Sequence, residues 1–431
     1  MSLARRTLLA LDSAWFAVDM TARLGFERLT TGIAFNPSDK KLRADPHPYY
    51  RQLRERDPVH RTHPASGWVL SRFADCLEVL SDKTFSSDER NLSRWKRFRR
   101  RGQLAGIPDP YESGLVSMLR QDAPHHTRLR SLVTQAFTPR AVERMRGRIE
   151  QVADELLTPL AHASRLELVG QFAAPLPVVA IAEMLGVPSE DRERFRHWSN
   201  EVVRTLGESS FEDNRRAFRA RDELCEYFAG IIAERRAEPR DDLITALAAA
   251  EEEGDRLSQT DLFGILVLLL VAGNETTTKL IANSVIALLR NPEQLALLQD
   301  EPKRIAGAVD ELLRYDGPVQ LTSRMVCEDR ELAGVTLRKG QQLVLLLAAA
   351  NRDPEQFDDP ERLDVTRENV RHLALGHGAH FCLGAQLARL EAGIALEALI
   401  TRFPDLRFAG DEIQWGDNTI LRGPVRLPLA V

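Results

Sequence analysis

The sequence predicts a mainly α-helical protein with small β-sheets, an α+β fold with one long helix at its centre. Apolar residues recur at helical spacing over most of the chain, whereas alternating, strand-like stretches are confined to residues 58–73 and 319–347. No alternation of strands and helices typical of βαβ units is present, which argues against a parallel α/β sheet. The long periodic segments are residues 141–161, 174–185, 190–206, 211–236 and 259–290.

Composition narrows the class of protein. The 431 residues include 58 Lys and Arg against 63 Asp and Glu, and the net charge of −5 gives no reason to expect a nucleic-acid partner. The four cysteines, Cys76, Cys225, Cys327 and Cys382, form no C-x-x-C pair. This spacing argues against zinc, an iron–sulfur cluster and a disulfide framework, and it is typical of a reducing compartment, so we expect a cytoplasmic protein.

Residues 1–35 are predicted to be an N-terminal extension that forms an amphipathic helix. Charged residues interrupt its apolar stretch, Leu8 to Leu29, so no uncharged run reaches the roughly 20 residues that a membrane span needs. Two placements of this helix stay open. It packs on the body of the protein, which we favour, or it makes peripheral contact with a membrane surface.

The first part of the main body alternates short helices with a hairpin. Residues 46–54 predict a turn and a short helix, residues 58–73 a hairpin that turns at 65–67, and residues 74–80 a helix. Residues 90–101 carry seven arginines and lysines with two aromatic residues, Trp95 and Phe98, between them, and are predicted to be irregular. They form either a solvated face or a mobile loop that meets an acidic ligand group or partner.

A helix is predicted to begin at Pro124 and to carry an HxxxR pair. His126 and Arg130 are four residues apart, so they share one face of this helix and could hold one anionic group together. By itself the pair is weak evidence for a binding site.

The longest helix is predicted over residues 259–290, with Ser258 and Asp261 as its capping pair and Pro292 beyond its end. A polar segment, Ala272-Gly273-Asn274-Glu275-Thr276-Thr277-Thr278, stands in its middle, where glycine and β-branched residues weaken a helix. Local weakness at the centre of the main helix indicates either a functional site or a buried polar kink without chemistry.

Two further motifs follow. Glu311 and Arg314 lie three apart on a helix, a spacing that also fits an ordinary surface ion pair. The stretch Leu375–Gly384 places one cysteine, Cys382, among three glycines and two histidines at the start of an apolar helix. A helix N-terminus favours a thiolate, which binds metals; the alternative is a buried, inert cysteine in a glycine-containing turn.

In this order the motifs resemble those of the cytochrome P-450 family of haem-thiolate monooxygenases, in particular its soluble bacterial branch. The motifs are Ala-Gly-x-Glu-Thr, ExxR, the Pro-Glu-Arg segment at 360–362 and the glycine-flanked cysteine. The resemblance covers about Asn36 to Leu429. It implies one haem-thiolate domain over residues 36–431, with the long helix crossing over a haem b group, iron protoporphyrin IX.

The resemblance also implies a role for each matching residue. Cys382 would be the proximal ligand of the haem iron, and three glycines would let its loop lie against the porphyrin: Gly376, Gly378 and Gly384. The haem propionates would pair with His126, Arg130, Arg324 and His380. A structural ion-pair network behind the haem would comprise Glu311, Arg314 and Arg362. Leu375 and Leu363 stand where the family usually has phenylalanine, which leaves the ligand assignment intact but bears on haem packing.

On the distal side, Glu275 and Thr276 match the family's acid–alcohol pair. The substrate pocket is expected to be lined by Leu268, Val271, Ala272, Val319 and Gln320, with residues 90–110 as a lid. Such a pocket fits an apolar small molecule: a fatty acid, terpenoid, steroid or polyketide.

The implied reaction is hydroxylation with dioxygen and with electrons from NAD(P)H. No nucleotide-binding or iron–sulfur motif is present, so the electrons would come through a ferredoxin or flavodoxin and its reductase. Arg128 and Arg389 are candidates for docking such an acidic carrier. The alternatives are a peroxide-driven peroxygenase, a non-catalytic haem-binding sensor or carrier, and a helical scaffold without a cofactor.

Overall fold

The computed structural model describes residues 18–63, 66–105, 109, 111–112, 116–134, 137–203, 211–249, 251–252, 255–410 and 412–431. The prediction of a mainly α-helical fold with small sheets is confirmed. In chain order the helices are α1 (18–31), α2 (Lys41–Ala44), α3 (His47–Arg56), α4 (Phe73–Ser81), α5 (Trp95–Ala105), α6 (His125–Thr134), α7 (Pro139–Glu143), α8 (Arg146–Leu157), α9 (Pro175–Met184), α10 (Arg192–Val203), α11 (Phe211–Ala237), α12 (Leu243–Ala249), α13 (Gln259–Arg290), α14 (Pro292–Asp300), α15 (Ile305–Asp316), α16 (Leu347–Ala350) and α17 (Ala385–Arg402).

The strands are short. They are β1 (Val59–Thr62), β2 (Gly67–Leu70), β3 (Phe85–Ser86), β4 (Arg165–Glu167), β5 (Glu251–Glu252), β6 (Asp255–Arg256), β7 (Thr322–Val326), β8 (Arg330–Leu332), β9 (Val335–Leu337), β10 (Gln342–Leu345), β11 (Arg407–Phe408), β12 (Gln414–Trp415), β13 (Pro424–Arg426) and β14 (Pro428–Ala430). The largest sheet has the order β1-β2-β10-β7-β3, and β11-β14-β4 form a second sheet.

The five-stranded sheet joins distant parts of the chain. The hairpin β1–β2 pairs Val59 with Leu70, and β10 then joins β2 in parallel, with Leu343 opposite Trp68. On its other side β10 pairs antiparallel with β7, which places Arg324 in the middle of the sheet. Arg324 therefore has a rigid support at one end of the site described below.

Helix α13 is the central element, with the bounds that the sequence predicts. Ser258 and Asp261 form a capping box at its start, and Asn291 ends it before Pro292. Its 32 residues make a rod of about 48 Å that packs against α9, α10, α15 and α17. It is apolar enough to cross a membrane, but 67% of its most apolar window is buried inside the protein, as in the core helix of a folded domain.

The polar segment 272–278 does not interrupt α13. The backbone stays α-helical through these residues, so the glycine and the three threonines do not end the helix there. Packing explains the continuity, because Thr277 and Thr278 are buried and the Asn274 amide donates to the Ser199 hydroxyl of α10 at 3.0 Å. Tertiary contacts outweigh the weak propensity of this segment.

The basic stretch 90–101 also differs from the prediction, since most of it lies in α5 rather than in an irregular loop. Trp95 packs edge-on against Tyr111, with ring centroids 5.2 Å apart, and lies 5.9 Å from Phe98. Arg99 forms ion pairs with Asp109 and Glu112. These contacts pack one face of α5 against residues 109 and 111–112. The composition of the segment alone does not indicate this packing.

The N-terminal helix α1 packs on the body of the protein through one buried carboxylate; residues 1–17 of the predicted extension lie outside the described residues. Glu27 is fully buried and accepts hydrogen bonds from the backbone N–H groups of Phe35 (2.6 Å) and His63 (2.8 Å). The buried ring of His60 lies 2.8 Å from the same carboxylate. A buried carboxylate satisfied in this way holds α1 against the hairpin β1–β2.

Candidate haem site

Cys382 lies in a tight loop that enters α17. Its N–H donates to the Leu375 carbonyl at 2.8 Å, and the Phe381 N–H donates to the Gly378 carbonyl at 3.0 Å. These two bonds fold residues 375–384 back on themselves, so that the thiol stands at the mouth of the helix.

The three glycines of this loop have different structural roles. Gly376 has a φ of +72°, in the left-handed region that favours glycine. Gly378 also has a positive φ, but its missing Cβ makes room for the Leu80 carbonyl of α4, so it serves loop packing. No atom lies within 4 Å of a Cβ placed on Gly384. Of the three, Gly384 leaves open space in which a flat ligand fits.

Four basic side chains converge beside the cysteine loop. Helix α6 presents His126 and Arg130, β7 presents Arg324, and the turn before Cys382 presents His380. The His126 and His380 rings lie 4.1 Å apart, and Arg130 donates to the Phe381 carbonyl at 2.5 Å. The HxxxR pair of the sequence is therefore one half of a larger cluster.

This cluster is short of negative charge. Burial, together with repulsion from His126, Arg324 and Arg130, lowers the pKa of His380 to about 3. Asp122 acts on His126 and Arg324 in the opposite direction, but its carboxylate is already bonded to the Ser86 hydroxyl and, at 2.8 Å, to the Ser87 N–H.

One nitrogen of the cluster also lacks a partner. His126 is 4% exposed, and its Nε2 makes no hydrogen bond within the part of the chain that the structure describes. Buried cations and an orphaned buried nitrogen are costly unless an anion joins them. The two propionates of a haem would supply that anion, so these residues fit the group.

The thiol itself behaves differently from the sequence expectation. Burial raises the pKa of Cys382, and the Gly384 N–H, Arg130 and Arg389 offset this only in part. The start of α17 therefore does not by itself lower the pKa of this thiol. A bound metal ion deprotonates a coordinating thiol outright, so Cys382 would hold iron as the thiolate.

On the opposite side, α13 presents the acid and alcohol predicted from the sequence. Ala272 is exposed although the helix around it is largely buried, so open space lies against this turn. The Thr276 hydroxyl donates to the Ala272 carbonyl at 2.5 Å, and Glu275 forms an ion pair with Lys279 one turn later. The two side chains are neighbours but bond to different groups. Sequence reasoning missed Lys279, which its i+4 spacing from Glu275 could have indicated.

Two of the predicted pocket residues, Val271 and Val319, belong to an aliphatic cluster beside α13, which we call the wall. Val271 is 7% exposed and packs in a cluster that the half-buried Val319 joins, and Val319 also forms a β-bridge with Leu421. Leu268 is half-buried against the main core. Gln320 differs, because its amide donates to the Gly317 carbonyl and the side chain is buried, so we assign it to loop packing. The sequence did not indicate the other wall residues: Val202, Val203, Val267, Ile420 and Leu421.

The predicted ion-pair network is present with one different member. Glu311 and Arg314 are fully buried and joined by two bonds of 2.6 and 2.7 Å. The inclusion of Arg362 is wrong, because its side chain is 62% exposed and only its carbonyl takes part, accepting from Arg314 at 3.0 Å. Arg367 stands in its place, 3.3 Å from Glu311. The sequence does not indicate this choice of arginine, because residue spacing in an irregular segment does not determine which side chain points inward.

The two arginines suggested for docking an electron carrier are already paired. Arg128 donates to Asp261 at 2.8 Å, and Arg389 donates to Asp310 at 2.8 Å. Their side chains are about a quarter exposed. Both arginines therefore form ion pairs within the protein, which makes them less suitable for docking an electron carrier. Leu363, one of the two leucines at positions where phenylalanine is usual, is buried in the core, and the other, Leu375, packs against this core.

A second acid near the site, Glu391, is expected to make the stability of the fold depend on pH. Glu391 of α17 is 2% exposed, and burial raises its pKa to about 8 despite a hydrogen bond with Thr277 of α13. The unfolded chain loses this proton near the ordinary value of 4.5. Between these values the folded protein binds more protons, so Glu391 lowers the stability of the fold as the pH rises from about 4.5 to about 8.

Replacing Glu391 by glutamine is expected to remove this dependence. Glu391→Gln should gain stability relative to the unmodified protein as the pH is raised from 5 to 8, by more than about 1 kcal/mol in total. Denaturant unfolding at a series of pH values measures the difference. A difference that stays constant over this range would show that Glu391 titrates normally.

Comparison with known proteins identifies the family. The family model described as "Cytochrome P-450" matches residues 210–413. The polyketide biosynthesis cytochrome P-450 PksS of Bacillus subtilis is 40% identical over 410 residues, which are 93% of this chain and 99% of that protein. The vitamin D(3) 25-hydroxylase of Pseudonocardia autotrophica is 40% identical over 90% of this chain and 94% of its own length.

Solved structures agree. The structure of PksS superimposes with a TM-score of 0.84 at 39% identity, covering 92% of this chain and 99% of that one. P450BioI, solved with an acyl carrier protein that bears hexadec-9Z-enoic acid, has a TM-score of 0.83 at 34% identity and covers 92% of this chain and 100% of that one. With such matches along nearly its whole length, the chain belongs to the cytochrome P-450 family of haem-dependent monooxygenases.

Proposed function

We propose that the protein hydroxylates an apolar small molecule of the fatty-acid, terpenoid, steroid or polyketide class. Dioxygen is the oxidant, and electrons come from NAD(P)H through a ferredoxin or flavodoxin and its reductase, in the cytoplasm. The observation that carries this proposal is the Glu275–Thr276 pair beside open space on α13, with a wall of aliphatic side chains next to it. The names of the relatives, a polyketide enzyme and a vitamin D(3) hydroxylase, support the same classes.

Residues on both sides of the site would hold the haem. Cys382 would ligate the iron, and His126, Arg130, Arg324 and His380 would bind the propionates by charge-assisted hydrogen bonds. Haem with a thiolate ligand would favour cleavage of the O–O bond of dioxygen. The open space at Gly384 would leave room for the porphyrin face.

Thr276 and Glu275 would manage protons on the distal side. The Thr276 hydrogen is donated to the Ala272 carbonyl, so the hydroxyl oxygen keeps lone pairs that can accept a hydrogen bond from a molecule in the open space. Glu275, the residue before Thr276, can exchange protons with ordered water in this open space. The valine and leucine wall would exclude bulk water and hold an apolar skeleton.

The direct test is turnover with a surrogate redox chain. With ferredoxin, its reductase, NADPH and dioxygen, the protein should form a product that gains one oxygen atom from a panel of the four substrate classes. Peroxide alone should support little product. Turnover with peroxide but not with the redox chain would favour a peroxygenase, and no product under either condition would favour a sensor or carrier.

Replacing Thr276 by alanine is expected to uncouple this reaction. Thr276→Ala keeps haem and NADPH consumption, but the lost hydrogen-bond acceptor diverts electrons to hydrogen peroxide, with product per NADPH falling about tenfold or more. Thr276→Ser, which keeps the hydroxyl, is the matched control and should stay well coupled. Equal product-to-peroxide ratios in the alanine variant and the unmodified protein would exclude this role.

A further inference from the structure

Lys279 is a buried cation in the centre of α13. It is 3% exposed, lies one turn after Glu275, and its ammonium donates to the Glu275 carboxylate. A buried ammonium is costly unless it is paired, and most lysines at i+4 from a glutamate lie in solvent, where the pair contributes little. The position of Lys279 inside the protein therefore calls for a reason.

Gly423 makes room for the stem of the lysine side chain. A Cβ on Gly423 would lie 2.6 Å from Cγ and 2.8 Å from Cβ of Lys279, whereas a Cβ on Gly416 would lie 3.9 Å from its Nζ, an ordinary contact distance. Gly423 has no positive φ, so the backbone itself does not need glycine there. The Lys279 stem occupies the space that a side chain at position 423 would need.

The same segment also contributes to the aliphatic wall. Between these glycines lie Ile420 and Leu421, which pack with Val271 one turn before Glu275. Lys279 thus connects the C-terminal hairpin β12–β13 and the wall to the acid of the acid–alcohol pair. A change in this segment would reach Glu275 through the ammonium.

We propose that Lys279 is a positioning residue: its stem packs against Gly423, and its ammonium fixes the Glu275 carboxylate in the orientation from which it serves Thr276. This inference rests on the proposed monooxygenase function. The i+4 ion pair restricts the rotamers of the glutamate, and proton transfer depends on geometry of this kind. Glu275 and Lys279 then act as one unit in turnover.

A double-mutant cycle on coupling tests this unit. Lys279→Met and Glu275→Gln should each lower the product formed per NADPH at least threefold, and the double variant should be no worse than the poorer single one. Lys279→Arg, which keeps the cation, should retain more coupling than Lys279→Met. Effects of the two changes that multiply, or unchanged coupling in Lys279→Met, would overturn the proposal.

A second variant reaches Lys279 without removing it. Gly423→Ala displaces the lysine stem and should reproduce the loss of coupling of Lys279→Met, whereas Gly307→Ala, where an added Cβ meets nothing within 4 Å, should behave as the unmodified protein. Normal coupling in a folded, haem-loaded Gly423→Ala protein would contradict the positioning role.

A readout independent of turnover accompanies the cycle. In denaturant unfolding of the haem-loaded proteins, Lys279→Met should lower the midpoint because it leaves Glu275 unpaired, and adding Glu275→Gln should recover most of that shift. Absence of recovery would show that the two groups are not paired. If the unmodified protein forms no product, the proposed function fails; if it does and Lys279→Met couples equally well, only the positioning role fails.

Discussion

Replacement of Arg314 by methionine is expected to destabilise the fold more than any other single change behind the haem. The guanidinium is fully buried and makes five hydrogen bonds, two to the Glu311 carboxylate and three to the backbone carbonyls of Asn351, Pro360 and Arg362. Removing it deprives the buried Glu311 carboxylate of its two closest bonds, leaving it the Asp364 N–H and Arg367, and takes a donor from each of the three carbonyls. Loss of one partner of a buried pair costs about 3–5 kcal/mol, which is a large part of the 5–15 kcal/mol that holds a typical domain folded.

The measurement is the free energy of unfolding, together with the haem content of the purified protein. Arg314→Met should yield little haem-loaded protein, and what is recovered should unfold at a much lower denaturant concentration. Arg362→Met is the matched control, because that side chain is mostly exposed and its nearest acid, Asp364, is 3.8 Å away. The control should stay within about 0.5 kcal/mol of the unmodified protein. Equal effects of the two changes would contradict the buried network described above.

The elements with strong periodicity or defined end signals were predictable from the sequence. Helix α13 has the predicted bounds because Ser258 and Pro292 act locally, through hydrogen bonds and the fixed geometry of proline. The same holds for the helices that follow Pro124 and Gly384. In each case the signal lies within one turn of the boundary that it sets.

Features decided by contacts distant in sequence were not predictable. Helix α5 depends on Trp95 packing against Tyr111, and the choice of Arg367 over Arg362 depends on how an irregular segment folds back on α15. The wall residues Ile420 and Leu421 reach α13 from the far end of the chain. The Lys279 side chain could not be placed either, since spacing indicates a pair with Glu275 but not that the stem packs against Gly423.

The candidate site combines both kinds of information. Local motifs indicate which residues take part: Cys382, the HxxxR pair and the Glu275–Thr276 pair. The fold shows that the ring centroids of His126 and His380 lie 4.1 Å apart and that Arg324 is held in a sheet beside them. It also shows that burial raises the pKa of Cys382, which the position of the residue at a helix start does not reveal.

Replacing Cys382 by alanine is expected to abolish thiolate ligation altogether. The other cysteines cannot substitute, because Cys76 and Cys225 are buried elsewhere and Cys327 lies on the sheet side, after β7. The basic cluster remains in Cys382→Ala, so haem can still bind through its propionates, but without a sulfur ligand. Cys327→Ala is the matched control and should leave the iron site unchanged.

The absorbance spectrum of the reduced protein under carbon monoxide tests the central assignment most directly. The unmodified protein and Cys327→Ala should show the long-wavelength band that is diagnostic of a thiolate opposite the bound gas, and Cys382→Ala should lack it. Retention of this band in Cys382→Ala, or its absence from the freshly reduced unmodified protein that contains haem, would contradict the assignment of Cys382 as the iron ligand.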